Sequence, residues 1–184
     1  FAHAKMWKAY FARKLRPFIQ GEVLEVGAGI GNTTSVLFVS ARAKWTCLEP
    51  DPQQAAILVD SLKRARPTER AEVIAGTIED VAPGRFFDSI VYIDVLEHIE
   101  HDAAELRTAA AHLREEGTLI VLAPACQRLF SEFDRAIGHF RRYDSRSLRQ
   151  IVPPGLREES MIYLDSAGLL ASFFNRALLR QSMP

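Results

Sequence analysis

Residues 23–34, Val-Leu-Glu-Val-Gly-Ala-Gly-Ile-Gly-Asn-Thr-Thr, constrain the fold more than any other stretch of the chain. Val23, Leu24 and Val26 suit a parallel-sheet strand covered on both faces. Gly27, Gly29 and Gly31 let the backbone turn tightly and bring its N–H groups close to a ligand. Asn32, Thr33 or Thr34 can cap the helix that follows. Glu25 is the odd member, a carboxylate near the end of an apolar strand. Burying it without a partner is unfavourable, so it is expected to face a ligand or water.

The rest of the chain repeats the strand-then-helix theme. A helix is expected over 4–15, with Trp7, Tyr10, Phe11 and Leu15 at helical spacing. After the first strand and turn, a helix runs to about Ser40, and a second strand over 44–48 ends in Glu49. A helix over 53–66 is stopped by Pro67, a third strand covers 72–75, and a fourth covers 87–93. The fourth strand runs into Asp94-Val95-Leu96-Glu97-His98-Ile99, after which Asp102 and Glu105 have the spacing of a capping box. Glu116-Gly117 turns into a fifth strand over 118–123. Strands rich in Val, Ile and Leu, alternating with helices, describe an open, mainly parallel, doubly wound sheet with helices on both faces. Ligands of such sheets bind beyond the C-terminal ends of the strands. Glu25, Glu49, Thr77, Asp94, Glu97 and His98 all fall at such ends. Glu49, twenty residues after Gly29, has the offset of an acid that holds ribose hydroxyls.

The pattern breaks over 124–143, where Phe130, Phe133 and Phe140 mix with Arg128, Asp134, Arg135, His139, Arg141 and Arg142. A long ordered segment of this kind is expected to be a lid or substrate wall, with the insertion ending near 145. A short helix starts at Asp144 or Ser145 and runs to Ile151, and 156–164 is the candidate sixth strand. A last amphipathic helix over about 165–180 carries Leu169, Leu170, Phe173, Phe174, Ala177 and Leu178 on one face. Its apolar face is expected to pack on further chain, or with Arg176 and Arg180 to touch an anionic membrane surface. The whole of 1–184 reads as one domain.

The formal net charge of zero removes the general electrostatic case for nucleic-acid binding. Two cysteines, Cys47 and Cys126, do not make a disulfide framework and point to a reducing compartment, taken as the cytoplasm. No apolar run approaches the ~20 residues of a membrane-spanning helix.

Taken together, residues 20–164 resemble the class I S-adenosylmethionine-dependent methyltransferases. The resemblance rests on Glu25-Val26-Gly27-Ala28-Gly29-Ile30-Gly31, the acid Glu49, and Asp94-Val95-Leu96-Glu97-His98-Ile99. Asn32 stands where a dinucleotide fingerprint starting at Gly27 needs its third glycine, which sets the turn apart from that of NAD binders. The resemblance implies a Rossmann-like fold that here lacks its last strand, with S-adenosylmethionine as cofactor and S-adenosylhomocysteine as product. It implies that Gly27, Ala28 and Gly29 approach the methionine part and that Glu25 lies near its ammonium group. It further places Glu49 on the ribose, Thr77 and Ile78 at the adenine, and Asp94 beside the methyl group. The Gly138–Tyr143 stretch is similar to one bacterial branch associated with saccharide, lipid-linked and other small-molecule acceptors.

Methyl transfer to a hydroxyl or amine needs a group to take a proton. His98, His101 and His139 are the candidates, with His98 and His139 preferred, and Asp94 completes the catalytic set. His139, Arg141, Arg142 and Tyr143 are expected to meet the substrate, the arginines suiting an acidic or phosphate-bearing one. Glu97, His98 and His101 lie too close in sequence for a recognised ligand pattern, so no metal is expected. The alternatives are a cofactor-binding module without turnover and an NAD-dependent oxidoreductase.

Overall fold

The structure is a computed structural model that describes residues 2–38, 44–65 and 71–164. Helix α1 (Ala2–Leu15) precedes strand β1 (Glu22–Val26), the glycine turn and a short α2 (Thr34–Leu37). Strand β2 (Lys44–Glu49), α3 (Pro52–Ala65) and β3 (Ala71–Ala75) follow, then β4 (Phe87–Ile93), α4 (Asp102–Ala111) and β5 (Leu113–Leu122). Beyond the sheet come α5 (Glu132–Ala136) and α6 (Ser145–Ile151). The five strands are in the order β3-β2-β1-β4-β5 and every pairing is parallel. The order reverses between β1 and β4, so the glycine turn and the Asp94 segment emerge side by side.

Alternation along each strand divides the core in two. Val23, Trp45, Cys47, Val91 and Ile93 face α1, α2 and α3 and pack with Phe11, Leu37 and Leu58. Leu24, Leu48, Ile90 and Tyr92 face the other way, onto Ile78, Leu106, Ala109 and Tyr143. Both faces are therefore dry, which explains why the strands read as nearly continuous apolar runs. Helix α3 starts with Pro52 behind Asp51, whose Oδ1 accepts from the Gln53 and Gln54 N–H groups at 2.8 and 3.3 Å. It buries Leu58 completely and leaves Ile57 47% exposed.

Three expectations fail. The Asp102–Glu105 capping box does not form. His101 takes the N-cap position, Asp102 accepts from Tyr143, and Glu105 accepts the Tyr92 hydroxyl at 2.8 Å. Long-range partners on a buried surface outcompete the local cap. Residues 156–164 are not a strand. Arg157, Glu158 and Glu159 interrupt the apolar run a sheet position needs, and they pair locally instead, Glu158 with Arg149 and Glu159 with Arg157. Glu116-Gly117 does not precede β5 but lies inside it, as a bulge between the Phe87–Leu113 and Ser89–Thr118 pairs with Glu116 at φ +63°. The helix expected over 165–180 lies outside the described residues. Among the described residues, no helix is long and apolar enough to cross a membrane.

Leu58 covers the glycine turn: a Cβ on Gly31 would come within 2.6 Å of its Cδ1. Truncation of Leu58 to Ala is expected to lower the unfolding free energy by about 3 kcal/mol, measured by urea denaturation. The same change at exposed Ile57 is expected to stay within about 0.5 kcal/mol.

Candidate active site

The site is assembled by hydrogen bonds among strand ends. The Ala28 N–H donates to the Leu48 carbonyl at 2.9 Å, and the Gly29 N–H donates to Glu49 Oε2 at 2.7 Å. Glu49 Oε1 accepts from the Asp51 N–H at 3.0 Å, and the Glu49 carbonyl accepts from the Gly76 N–H at 3.0 Å. Glu49 is thus buried and bound to backbone on three sides, at the point where the ends of β1, β2 and β3 meet. Gly27 has φ +68°, and a Cβ there would lie 2.6 Å from Val95 Cγ2, so only glycine fits beneath the Asp94-Val95 segment. At Gly29 a Cβ would meet nothing nearer than Gln54 Oε1 at 3.7 Å, so the space above the turn is open.

Glu25 does not face a ligand or water. It is 2% exposed, and its Oε2 accepts from the Trp45 indole N–H at 2.8 Å. The expectation omitted this partner, which sits diagonally across on the neighbouring strand, where Val23 pairs with Trp45 and Glu25 with Cys47. Burial raises the Glu25 pKa to about 7, against the opposing effect of the Trp45 bond. At the β3 end, the Thr77 hydroxyl and N–H both donate to Asp80 Oδ2, at 3.2 and 2.8 Å. Thr77 is exposed on the rim, whereas the Ile78 side chain is buried in the core.

Asp94 holds φ +53°, unusual for a non-glycine residue, and its N–H donates to the Leu122 carbonyl at 2.8 Å. Its side chain is exposed at a cavity of about 340 Å³ that also touches Trp7, Ala123, Arg142, Tyr143 and Met161. That cavity lies on the β5 side of Asp94, away from Glu49 and Thr77. Loss of hydration there raises the Asp94 pKa, partly offset by His139 and Lys8.

The 124–145 segment is fixed to the domain from within. Its two ends are bridged by the Ala125–Tyr143 pair, the Cys126 N–H donating to the Tyr143 carbonyl at 2.7 Å. At its centre, fully buried Asp134 accepts from the Ser131 N–H and hydroxyl, both at 2.8 Å. The Arg142 guanidinium donates to its two oxygens at 2.8 and 3.1 Å, and His139 Nδ1 lies 3.1 Å from Oδ1. Burial pushes the Asp134 carboxyl up, but the Arg142 and Ser131 bonds overcome it and hold the pKa at about 2. Arg141 pairs with Asp102 at 2.5 Å and donates to the Glu100 carbonyl at 2.8 Å. The Tyr143 hydroxyl donates to Asp102 Oδ2 at 2.8 Å. Both arginines expected to meet an acidic substrate are therefore already committed to carboxylates of the chain.

The structure brings His98 and His139 together, their rings edge to face with centroids 4.5 Å apart. Burial, and then the neighbouring His139, lower the His98 pKa. His101 does not join them, and its place is taken by Glu97. Glu97 is 1% exposed, and neither side-chain oxygen has a hydrogen-bond partner among the described residues. Its pKa is raised to about 7, first by burial and then by Asp94. Glu97, His98 and His139 present ligand atoms within 4.8 Å of one another. Sequence spacing missed this group because His139 lies 41 residues beyond His98 and arrives through the fold. Asp134 was more legible: Ser131-x-x-Asp134 is a capping box, and the structure forms it.

Comparison with known proteins agrees with this architecture. A family model described as a methyltransferase domain matches residues 4–153. No curated protein matches the chain. The YcgJ protein from Bacillus subtilis superposes with a TM-score of 0.66 at 16% identity, over 79% of this chain and 66% of that one. The glycopeptide N-methyltransferase MtfA, complexed with S-adenosyl-L-methionine, gives 0.58 at 20% identity over 67% of this chain and 57% of that one. The N-methyltransferase NodS from Bradyrhizobium japonicum, in complex with S-adenosyl-L-homocysteine, gives 0.63 at 18% identity over 86% and 75%. The chain thus spans less than two thirds of the length of the first two.

The raised Glu25 pKa has a stability consequence. A carboxyl whose folded pKa of about 7 exceeds its unfolded 4.5 favours folding fully only below 4.5, and this contribution is lost as pH rises through 7. The Glu25→Gln variant keeps an acceptor for Trp45 and removes the titration. Between pH 5 and pH 8 its unfolding free energy is expected to improve relative to wild type by about 2–3 kcal/mol, measured by denaturant titration at each pH.

Proposed function

Since the chain belongs to the methyltransferase-domain family of the class I S-adenosylmethionine-dependent superfamily, we propose that it transfers a methyl group from S-adenosylmethionine to a small-molecule acceptor. The observation that carries this reading is the Glu49 carboxylate locked to the Gly29 N–H at 2.7 Å, with Asp94 held at positive φ across the turn. Family membership and the missing third dinucleotide glycine displace the NAD-dependent reading.

The residues fit the cofactor. Glu49 uses one acceptor site on each oxygen for backbone N–H groups, and a carboxylate offers about four, so ribose hydroxyls can be accepted as well. The open space at Gly29 admits the amino-acid end against Gly27, Ala28 and Gly29. Thr77 lies on the rim where the adenine would lie, its hydroxyl proton given to Asp80 and its lone pairs available. Ile78 serves there through its backbone, since its side chain is in the core. Glu25 is bonded to Trp45 on the neighbouring strand and buried, so it takes no direct part in the cofactor contact. Bound S-adenosylmethionine supplies a methyl group on a sulfonium whose leaving group is a neutral thioether, so the protein chiefly positions the reactants and excludes water.

Asp94 marks the reaction end, and the cavity beside it is the proposed acceptor pocket. The proton lost by the acceptor is assigned to the Glu97–His98–His139 cluster next to Asp94. Arg142 and Tyr143 line that pocket and are held by Asp134 and Asp102, and Arg141, outside its lining, shares Asp102 with Tyr143. Among the structures of similar fold, MtfA and NodS are N-methyltransferases, which favours an amine as the first acceptor class to screen. Both cysteines are free, consistent with a cytoplasmic setting.

Calorimetry is expected to show saturable S-adenosylhomocysteine binding and none for NAD. The Glu49→Gln variant is expected to weaken that binding at least tenfold, about 1.4 kcal/mol. Binding of NAD with no binding of S-adenosylhomocysteine would contradict the proposal. Cofactor binding without radiolabelled methyl transfer to any extract component would reduce the protein to a binding module.

A further inference from the structure

We propose that Glu97, His98 and His139 form a binding site for a divalent first-row transition-metal ion. The starting observation is a mismatch of hydrogen-bonding groups. Glu97 is 1% exposed and neither of its carboxylate oxygens is hydrogen-bonded among the described residues. A buried carboxylate without partners is strongly unfavourable. Facing it is His139, whose Nε2 lies 3.9 Å from Glu97 Oε1, too far for a hydrogen bond.

The other nitrogen of His139 fixes what Nε2 offers. Nδ1 lies 3.1 Å from Asp134 Oδ1, and that carboxylate already holds Arg142 and Ser131. Asp134 is an acceptor there, so the Nδ1 proton is donated to it and Nε2 is left with a lone pair. Two acceptors, a carboxylate oxygen and an imidazole nitrogen, then point at each other across a gap that needs a cation. A carboxylate holding the far nitrogen of a ligating histidine is the usual outer support of a metal site. His98 closes the third side, its ring 4.5 Å from that of His139 and its surface exposed, which gives the ion a path from solvent.

The ligand atoms lie within 4.8 Å of one another, against about 3.4 Å between ligands on an ion with bonds of ~2.1 Å, so the side chains need close only slightly. Two imidazoles and one carboxylate suit zinc, cobalt, manganese or iron better than magnesium or calcium, which prefer oxygen ligands. Three protein ligands leave positions for water, and an ion there would lower the pKa of that water, so the proton the acceptor loses can still be taken up at this cluster. The site binds its ion whether or not the methyl-transfer reading holds.

The test titrates cobalt chloride into EDTA-treated, dialysed protein and follows visible ligand-field absorption, with zinc calorimetry alongside. One ion per chain is expected, with the strong absorption of a low-coordinate site. Glu97→Gln, His98→Asn and His139→Asn are each expected to weaken binding by at least a hundredfold. Asp134→Asn, which leaves all three ligands in place, is expected to cost about 10–100-fold, and His101→Asn none. Circular dichroism verifies that each variant is folded; should Asp134→Asn unfold, the three ligand variants carry the comparison. Wild-type binding no tighter than that of a Glu97→Gln/His139→Asn double variant would overturn the proposal and leave a proton as the occupant of the gap. S-adenosylhomocysteine calorimetry on the same metal-free protein reads the cofactor site separately, so the two proposals fail independently.

Discussion

The carboxylate of Glu49 is the junction on which the rest of the structure depends. It holds the Gly29 and Asp51 N–H groups while its own carbonyl holds Gly76, so one residue fixes the ends of three strands. Such charge-assisted bonds are short and strong when water is excluded, and Glu49 is 5% exposed. Gly27 then lets Val95 lie directly on the turn, and Val95 carries Asp94 with it. The Ala28–Leu48 bond and the Gly31–Ala28 bond complete the fixing of the turn on which the Asp94 segment rests.

The second half of the site is built on different physics. The ends of β4 and β5 are joined by the Asp94–Leu122 bond, but the residues around the proposed acceptor pocket are ordered by buried charge. Asp134 satisfies Ser131, His139 and Arg142 at once, and Asp102 satisfies Arg141 and Tyr143. Removing one member of such a network is strongly destabilising, because it leaves an uncompensated charge in a dry place. The 124–145 segment is therefore tied to the domain by buried charge as well as by its backbone bridge. Among the described residues, the buried Glu97 carboxylate in this region has no hydrogen-bond partner on either oxygen, which is why it is the most informative residue of the site.

Sheet and turn were legible because they obey local rules. Phe87–Ile93 runs over the expected residues, since a strand buried on both faces is a continuous apolar run. Glu49 was legible from its offset to Gly29, although its grip on the turn itself was not. The failures share one cause, the partner across the fold. Glu25 was expected to face a ligand or water because Trp45 comes within reach only once β1 and β2 are in register. The Asp102–Glu105 cap lost to Tyr143 and Tyr92. Arg141 and Arg142 look available in sequence and are committed in space. His139 joins Glu97 and His98 only through the path of the 124–145 segment.

A crystal structure of the protein with S-adenosylhomocysteine tests the central claim most directly. The account predicts ribose hydroxyls on the Glu49 carboxylate, the amino-acid end against Gly27, Ala28 and Gly29, and the sulfur directed toward Asp94 and the adjoining cavity. A ligand bound elsewhere, or one whose ribose makes no contact with Glu49 while the Gly29 bond stays intact, would contradict it.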